Sequence, residues 1–146
     1  MGPTKRGKGT KLVLVADGRG VPIACRIERA SPAEVTLAAG TLKKVKRPER
    51  AKSIPVIADR AYDSDRLRTE LAKEGWDLIC PHRRGRKRAA TQDGRKLRRY
   101  KRRWIVERTF SWLQNFRRLI VRHEYYSFVF HSFIKLACIQ LLLKRF

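Results

Sequence analysis

Two of the thirteen acidic residues stand in sequence settings that suit metal-dependent chemistry. Asp59 directly follows the apolar residues 54–58, which predict a short buried strand that ends in a carboxylate. Ligands collect at the carboxyl ends of strands in α/β sheets, so Asp59 is a candidate metal ligand. A turn-forming aspartate at the end of a strand is the alternative that position alone leaves open.

Glu107 lies in a basic segment whose apolar spacing predicts one long helix over about residues 97–120. On that helix, intervals of three and four residues align a polar stripe of Tyr100, Arg103, Glu107, Ser111 and Gln114. Glu107 is then either a structural partner of Arg103 or a second metal ligand. Two divalent cations about 3.5–4 Å apart, held by carboxylates from different elements, can activate water and stabilise a displacement at phosphorus.

The first elements of the chain follow from turn and cap signals. Residues 1–10 are rich in Gly and Lys and predict a basic flexible arm. Residues 11–16 and 21–28 flank an Asp-Gly-Arg-Gly turn and predict an antiparallel hairpin with Pro22 at a strand start. Asp17 opens that turn, as a turn residue or as a further metal ligand. A helix is expected from Ser31, as its N-cap, to about residue 45.

The elements around Asp59 predict the fold class. A helix capped by Ser64 or Asp65 separates residues 54–58 from a second short strand at 77–80, which makes a β-α-β unit. A basic loop is expected over 82–94 and a final helix over 127–144. The chain is therefore expected to be α/β, with a mixed sheet and flanking helices in one domain over 11–146.

The charge of the chain points to a polyanion as partner. Its 146 residues are 42% hydrophobic, enough for a packed core, and carry a formal net charge of +23. Residues 83–122 alone hold sixteen Lys and Arg against Asp93 and Glu107, a net charge of +14. This density favours nucleic-acid contact over a generic basic surface.

Other classes of protein are excluded by what the sequence lacks. It has no apolar run of the ~18 residues that a membrane span needs, and the apolar stretch near its start is too short to predict a signal peptide. Its three cysteines have neither disulfide-framework nor zinc spacing, which predicts ordinary packing in a reducing compartment. Trp104, Phe110 and Trp112 have the spacing of core residues, with base stacking as the alternative.

At this point the sequence resembles a family, the DDE-type insertion-sequence transposases. The resemblance rests on VIADRAYDSDRLRTEL and on the segment from YKRRWIVERTF to the last helix. Asp59 and Tyr62 match the pattern of aspartate, two residues and an aromatic residue. Tyr100, Arg103 and Glu107 match the Tyr, Arg and Glu of the family signature, whereas Gln114 stands where that signature has a Lys.

The resemblance implies an incomplete ribonuclease H-like mixed sheet and two divalent ions, Mg²⁺ or Mn²⁺, held by Asp59 and Glu107. It implies DNA partners, namely transposon ends and target, with homo-oligomers on DNA in the bacterial cytoplasm and nucleoid. Further DNA contacts are expected from basic and polar side chains, namely Arg84, Lys87, Arg99, Tyr100, Arg102, Arg103 and Gln114.

The family's first catalytic Asp lies upstream of the matched segment, so a truncated or frame-split product with impaired catalysis is expected. The alternative function is a non-catalytic basic nucleic-acid-binding protein in which Asp59 and Glu107 are structural.

Overall fold

The structure, a computed structural model, describes residues 2–4, 7–48 and 51–145. These fall into two compact units, one made of Met1–Ala33 with Ile105–Phe146 and the other of Glu34–Trp104. In chain order the strands and α-helices are β1 Gly2–Thr4, β2 Gly7–Ala16, β3 Pro22–Arg29, α1 Glu34–Leu42, β4 Ile54–Ile57, α2 Asp65–Lys73, β5 Trp76–Ile79, α3 Gly94–Arg98, α4 Trp104–Gln114, α5 Arg117–Ile120 and α6 Ser127–Leu143. Two 3-10 helices lie at Arg60–Tyr62 and Arg99–Arg103.

The predicted hairpin is confirmed in the first unit. β2 and β3 pair antiparallel, with registers from Thr10 opposite Arg29 to Ala16 opposite Pro22. β1 pairs antiparallel with β2 on its other edge. Of the predicted flexible arm, Met1, Lys5 and Arg6 lie outside the described residues. The described remainder forms β1 and the start of β2, so strand structure begins earlier than the Gly and Lys content suggested.

The hairpin turn is closed by Asp17. Its Oδ1 accepts hydrogen bonds from the backbone N–H groups of Arg19 and Val21, both at 2.8 Å. This confirms Asp17 as a turn residue, since its short side chain bonds the backbone of its own loop.

The core of the first unit lies between the hairpin and the C-terminal helices. Leu14, Leu113 and Ala137 are buried together, and partly buried residues surround them, namely Leu12, Cys25, Val106, Phe110, Phe116, Leu119, Cys138 and Leu141. None of the three cysteines, all within the described part of the chain, forms a disulfide, and the predicted packing role is confirmed for the two in this core, Cys25 and Cys138. Phe110 is a core residue as predicted. The core prediction is wrong for Trp104, which is 52% exposed at the start of α4.

The predicted β-α-β unit is confirmed in the second compact unit. β4 and β5 pair in parallel, with Ile54 opposite Trp76 and Ile57 opposite Ile79. The Oγ of Ser64 caps α2 by accepting from the N–H of Leu67 at 3.3 Å. The core of this unit is formed by buried side chains of α1, α2 and β5 and of the residue after β5. They are Leu37, Ala38, Ala39, Leu42, Leu67, Leu71, Trp76, Leu78, Ile79 and Cys80.

The single mixed sheet was a wrong expectation. The described strands form a three-stranded antiparallel sheet and a separate two-stranded parallel one. Each sheet joins strands that are neighbours in sequence, and no described strand pairs across the long connection from β3 to β4. The pattern of apolar residues predicts strands but not which strands pair, so it could not distinguish one sheet from two.

The single long helix over 97–120 was also wrong. The segment divides into α3, a 3-10 helix, α4 and α5. Five of the six residues 98–103 are Arg or Lys without an acid among them, and like charges three or four apart destabilise an α-helix. Farther on, Phe116 leaves the helix with an extended backbone and packs into the core. The predicted polar stripe therefore does not run along one α-helix.

The remaining helices follow their predictions more closely. α6 matches its expected bounds, and no helix in the described part of the chain has the length and apolarity to cross a membrane. α1 begins at Glu34 and ends at Leu42, so Ser31 is not its N-cap. The carbonyl of Pro32 instead accepts a hydrogen bond from Lys11 Nζ at 2.7 Å.

Candidate active site

Asp59 lies at the carboxyl end of the parallel strand pair, as the sequence predicted. The N–H of Ala58 still donates to the carbonyl of Ile79 at 3.0 Å, so the sheet reaches the preceding residue. Oδ1 of Asp59 then caps the first 3-10 helix by accepting from the N–H of Arg60. The side chain is 54% exposed, and its Oδ2 lies outside the cap bond. Asp59 therefore caps the 3-10 helix through Oδ1, and its Oδ2 takes no part in the cap.

Arg103 approaches that second oxygen. Its Nη1 lies 3.6 Å from Asp59 Oδ2, an ion pair longer than a hydrogen bond. The same guanidinium lies 5.8 Å from the ring centroid of Tyr100. The second 3-10 helix thus brings Arg103 to the carboxylate at the end of β4, with the ring of Tyr100 beside the same guanidinium.

Tyr62 stands three residues after Asp59 and is half-buried. Burial, followed by the negative charges of Glu34 and Asp59, raises the pKa of Tyr62 to about 12. The phenol therefore stays protonated near neutral pH, where it can donate a hydrogen bond but cannot serve as a base.

Asp63 is the residue that sequence reasoning missed. Its side chain is only 3% exposed, and its Oδ1 accepts from Arg68 Nη2 at 2.8 Å. Oδ2 accepts from the backbone N–H of Arg83, also at 2.8 Å. Burial alone would raise the pKa of Asp63, but the hydrogen bonds from Arg68, Arg83 and His82 outweigh it and hold the pKa well below its ordinary value.

His82 links this buried carboxylate to the basic loop. The backbone N–H of Thr91 donates to His82 Nε2 at 3.2 Å, so that nitrogen carries no proton. The proton is then on Nδ1, which donates to Asp63 Oδ1 at 2.9 Å. Asp63 thus fixes both the start of the loop, at His82 and Arg83, and through His82 its far side at Thr91. The only sequence signal was an acid directly before a helix cap, which is too common to single it out.

An open cavity of about 440 Å³ lies beside Asp63 at the start of α2. Asp65, whose pKa is lowered by hydrogen bonds from Arg86, pairs with Arg86 at 2.9 Å and with Arg88 at 3.3 Å. Four arginines and two aspartates line the cavity, namely Arg66, Arg83, Arg86, Arg88, Asp63 and Asp65. Val35 and Ser64 complete the lining. The walls of the cavity therefore carry an excess of positive charge.

Glu107 lies on α4 in the first unit, where its side chain is exposed. α4 is fixed to the hairpin turn, because buried Thr109 donates its Oγ1–H to the carbonyl of Gly20 at 2.8 Å. Arg108 donates to the carbonyl of Arg19 at the same distance. One turn further along α4, Ser111 Oγ donates to the carbonyl of Glu107 at 3.2 Å. The hairpin thus sets the position of the helix that carries Glu107.

The remaining predicted DNA-binding residues are all exposed. Arg84 and Lys87 lie in the basic loop, Arg99 and Arg102 lie on the second 3-10 helix, and Gln114 is the last residue of α4. The structure therefore leaves these side chains at the surface, where a polyanion could reach them.

No group of three or more His, Cys, Asp or Glu side chains that could hold a metal occurs in the described ranges. The two predicted ligands, Asp59 and Glu107, are exposed carboxylates, and carboxylate oxygens suit hard divalent cations. Each is thus chemically suited to contribute to such a site.

Comparison with known proteins identifies the family. The profile of the transposase DDE domain matches residues 2–142. A candidate transposase for insertion sequence element IS402 from Burkholderia cepacia is 34% identical over 143 residues, covering 93% of this chain and 64% of the relative. The chain thus spans less than two thirds of that relative's length, and no solved structure is significantly similar to it. With the profile matched over nearly its whole length, this chain belongs to the DDE transposase domain family.

Proposed function

We propose that this chain is the catalytic-domain part of an insertion-sequence transposase that cuts and joins DNA strands. The observation that supports this most is the approach of Arg103, which lies beside the Tyr100 ring, to Asp59 at the carboxyl end of β4 in a member of the DDE family. The family match does not favour the non-catalytic alternative. A ribonuclease H-like fold, transposon ends and target as substrates, and homo-oligomers on DNA belong to the same proposal.

Asp59 and Glu107 would hold the divalent cations, Mg²⁺ or Mn²⁺. When bound, such ions lower the pKa of water and stabilise the charge that develops at a phosphate. Both carboxylates are exposed, so neither has to be uncovered before a cation from solution can reach it.

Arg103 would act as the positioning residue of this site. Its guanidinium lies 3.6 Å from Asp59 Oδ2 and balances the carboxylate charge. A DNA phosphate entering beside Asp59 would find the same guanidinium as a donor, since arginine can pair with carboxylate and phosphate in the same planar geometry.

The basic loop and the second 3-10 helix would hold the DNA backbone. Arg84 and Lys87 on the loop and Arg99 and Arg102 on the 3-10 helix are exposed cations in one unit with Asp59. Such contacts position a duplex through its phosphates and do not read its sequence.

The test combines a metal-binding assay with a cleavage assay on the same protein. Mn²⁺ binding, followed by electron paramagnetic resonance, should weaken about tenfold or more in Asp59→Asn and in Glu107→Gln, because each loses a charged oxygen donor. Asp77→Asn is the matched control, since Asp77 is a half-buried acid that pairs with Lys96 at 3.0 Å and lies outside the proposed site.

Plasmid nicking in Mn²⁺ provides the second readout. The double variant Asp59→Asn, Glu107→Gln should lack any nicking that the unmodified chain shows. Unchanged Mn²⁺ affinity in both single variants, or nicking that survives in the double variant, would show that these carboxylates are not the metal ligands.

A further inference from the structure

Three aromatic side chains stand exposed at the start of α6. Tyr125 is 86% exposed, Tyr126 is 61% exposed and Phe128 is 67% exposed. The rings of Tyr125 and Tyr126 meet edge to face with centroids 5.2 Å apart, and those of Tyr126 and Phe128 stack at 5.6 Å. These three rings, called the aromatic platform below, form a continuous apolar surface of the kind that marks an interaction site.

The backbone beneath the platform is held in place. Arg122 donates from Nε to the carbonyl of Glu124 at 2.9 Å and from Nη2 to the carbonyl of Tyr125 at 2.8 Å. Its Nη1 donates to Thr10 Oγ1 on β2 at 2.8 Å. The platform is therefore presented on a loop tied to the sheet, so little ordering would be needed when a ligand binds.

The surroundings of the platform are basic. Arg117 is exposed on α5 and Lys135 is exposed on α6, whereas Arg118 is paired with Glu124 and Arg122 is bound to the loop beneath the platform. The nearby acid, Glu124, is buried with its side chain 5% exposed and pairs with Arg118 at 2.6 Å. Its negative charge is therefore neutralised and withdrawn from the surface.

Aromatic rings interleaved with cations are the chemistry by which proteins hold single-stranded nucleic acid. Bases stack on the rings while arginines and lysines track the phosphates. An apolar protein partner would use the rings but would not require the surrounding positive charge. The basic surroundings therefore favour a polyanion with unpaired bases.

We propose that the aromatic platform binds one or two unstacked bases of DNA whose strands have separated. This inference rests on the proposed function, because it requires DNA to be the substrate. It adds a second mode of contact, in which Tyr125, Tyr126 and Phe128 hold exposed bases while the basic side chains hold phosphates.

The experiment compares two DNA probes with the same duplex. One is fully paired, and the other carries a short single-stranded overhang containing 2-aminopurine, whose fluorescence falls when it stacks. The unmodified chain should bind the overhang probe more tightly, by about tenfold, and should quench its fluorescence. The double variant Tyr125→Ala, Tyr126→Ala should lose both effects while its affinity for the paired duplex stays within about twofold.

Two further variants make the result specific to the rings. Tyr125→Phe with Tyr126→Phe keeps both rings and should retain the preference and the quenching. Ile120→Ala removes exposed apolar surface outside the platform, since Ile120 is 62% exposed, and should change neither. Tyr126 makes no side-chain cap bond to α6, so its replacement leaves the cap hydrogen bonds intact, and circular dichroism checks the fold.

The outcomes separate the two proposals. Duplex binding without preference or quenching overturns the platform while DNA binding stands. Absence of binding to either probe overturns the proposed function, and the platform proposal with it. A concentration-dependent dimer that the alanine variant abolishes would assign the rings to a second copy of the chain and overturn the proposal of base binding.

Discussion

At the scale of single residues, Asp63 is a buried carboxylate whose two oxygens accept hydrogen bonds from Arg68, His82 and Arg83. The sequence predicts the position of Asp59 because Asp59 ends an apolar run, and the place of one residue relative to a strand is local information. Asp63 matters through Arg68, His82 and Arg83, which are five to twenty residues away and meet only when β5 returns beside β4. A buried hub of this kind depends on the fold, so no pattern within its own segment indicates it.

The hub predicts an acid-sensitive contribution to stability. The pKa of Asp63 is lower in the folded state than its ordinary value of about 3.9, so the ionised carboxylate stabilises the fold above about pH 4. The contribution is lost as the pH falls through the folded-state pKa. Asp63→Asn should therefore lower the free energy of unfolding by about 2 kcal/mol at neutral pH, with a smaller effect in acid.

Urea unfolding of the unmodified chain and of Asp63→Asn, followed by circular dichroism from neutral pH into acid, measures the difference in the free energy of unfolding. Asp77→Asn is again the control, because the ion pair of half-buried Asp77 with exposed Lys96 should contribute less than about 1 kcal/mol. A difference between the Asp63 variant and the unmodified chain that stays constant into acid would contradict the ionic role of this carboxylate.

At the scale of elements, the parts predicted correctly are those that local signals define. The hairpin follows from alternation around its turn, and the β-α-β unit follows from Ser64 and from the stop at Gly75, whose φ of +76° suits glycine. The prediction of one long helix was wrong because the apolar spacing continues through residues 98–103, where mutual repulsion of the cations opposes a regular α-helix.

The contact between the hairpin turn and α4 predicts a position where a methyl group is not tolerated. Gly20 has a φ of +87°, and a Cβ there would lie 3.1–3.3 Å from atoms of Arg108, Thr109 and Trp112. Gly20→Ala should therefore destabilise the protein by about 2 kcal/mol, through backbone strain and crowding together.

Gly18→Ala in the same turn is the matched control. Gly18 lacks a positive φ, and nothing lies within 4 Å of a Cβ built there, so its substitution should be close to neutral. Thermal or urea unfolding of the two variants measures the contrast. Equal stability of both would mean that the turn and α4 are not tightly packed against each other.

At the scale of the whole molecule, a net charge of +23 predicts a polyanionic partner, but it does not say whether specific cations or the total charge provide the affinity. The sequence located most of the excess between residues 83 and 122. The structure adds that Asp63 fixes the loop at the start of that segment, through Arg83 and His82. Cations presented on a fixed loop are expected to contact particular phosphates, whereas cations spread over a surface would act through the general field alone.

The salt dependence of DNA binding distinguishes these two cases. If about six phosphates are neutralised, the affinity for a duplex should fall about 10³-fold between 50 and 200 mM salt. Replacing Arg84 and Lys87 by Gln should reduce the magnitude of the slope of log affinity against log salt by about two, because two phosphate contacts are lost.

Replacing Lys52 and Lys73 by Gln is the matched control. It removes the same charge from exposed positions outside residues 83–122 and should leave the slope unchanged. Fluorescence anisotropy of a labelled duplex measures both. Equal losses in the two variants would assign the affinity to net charge alone, because a defined set of phosphate contacts depends on where the cations lie.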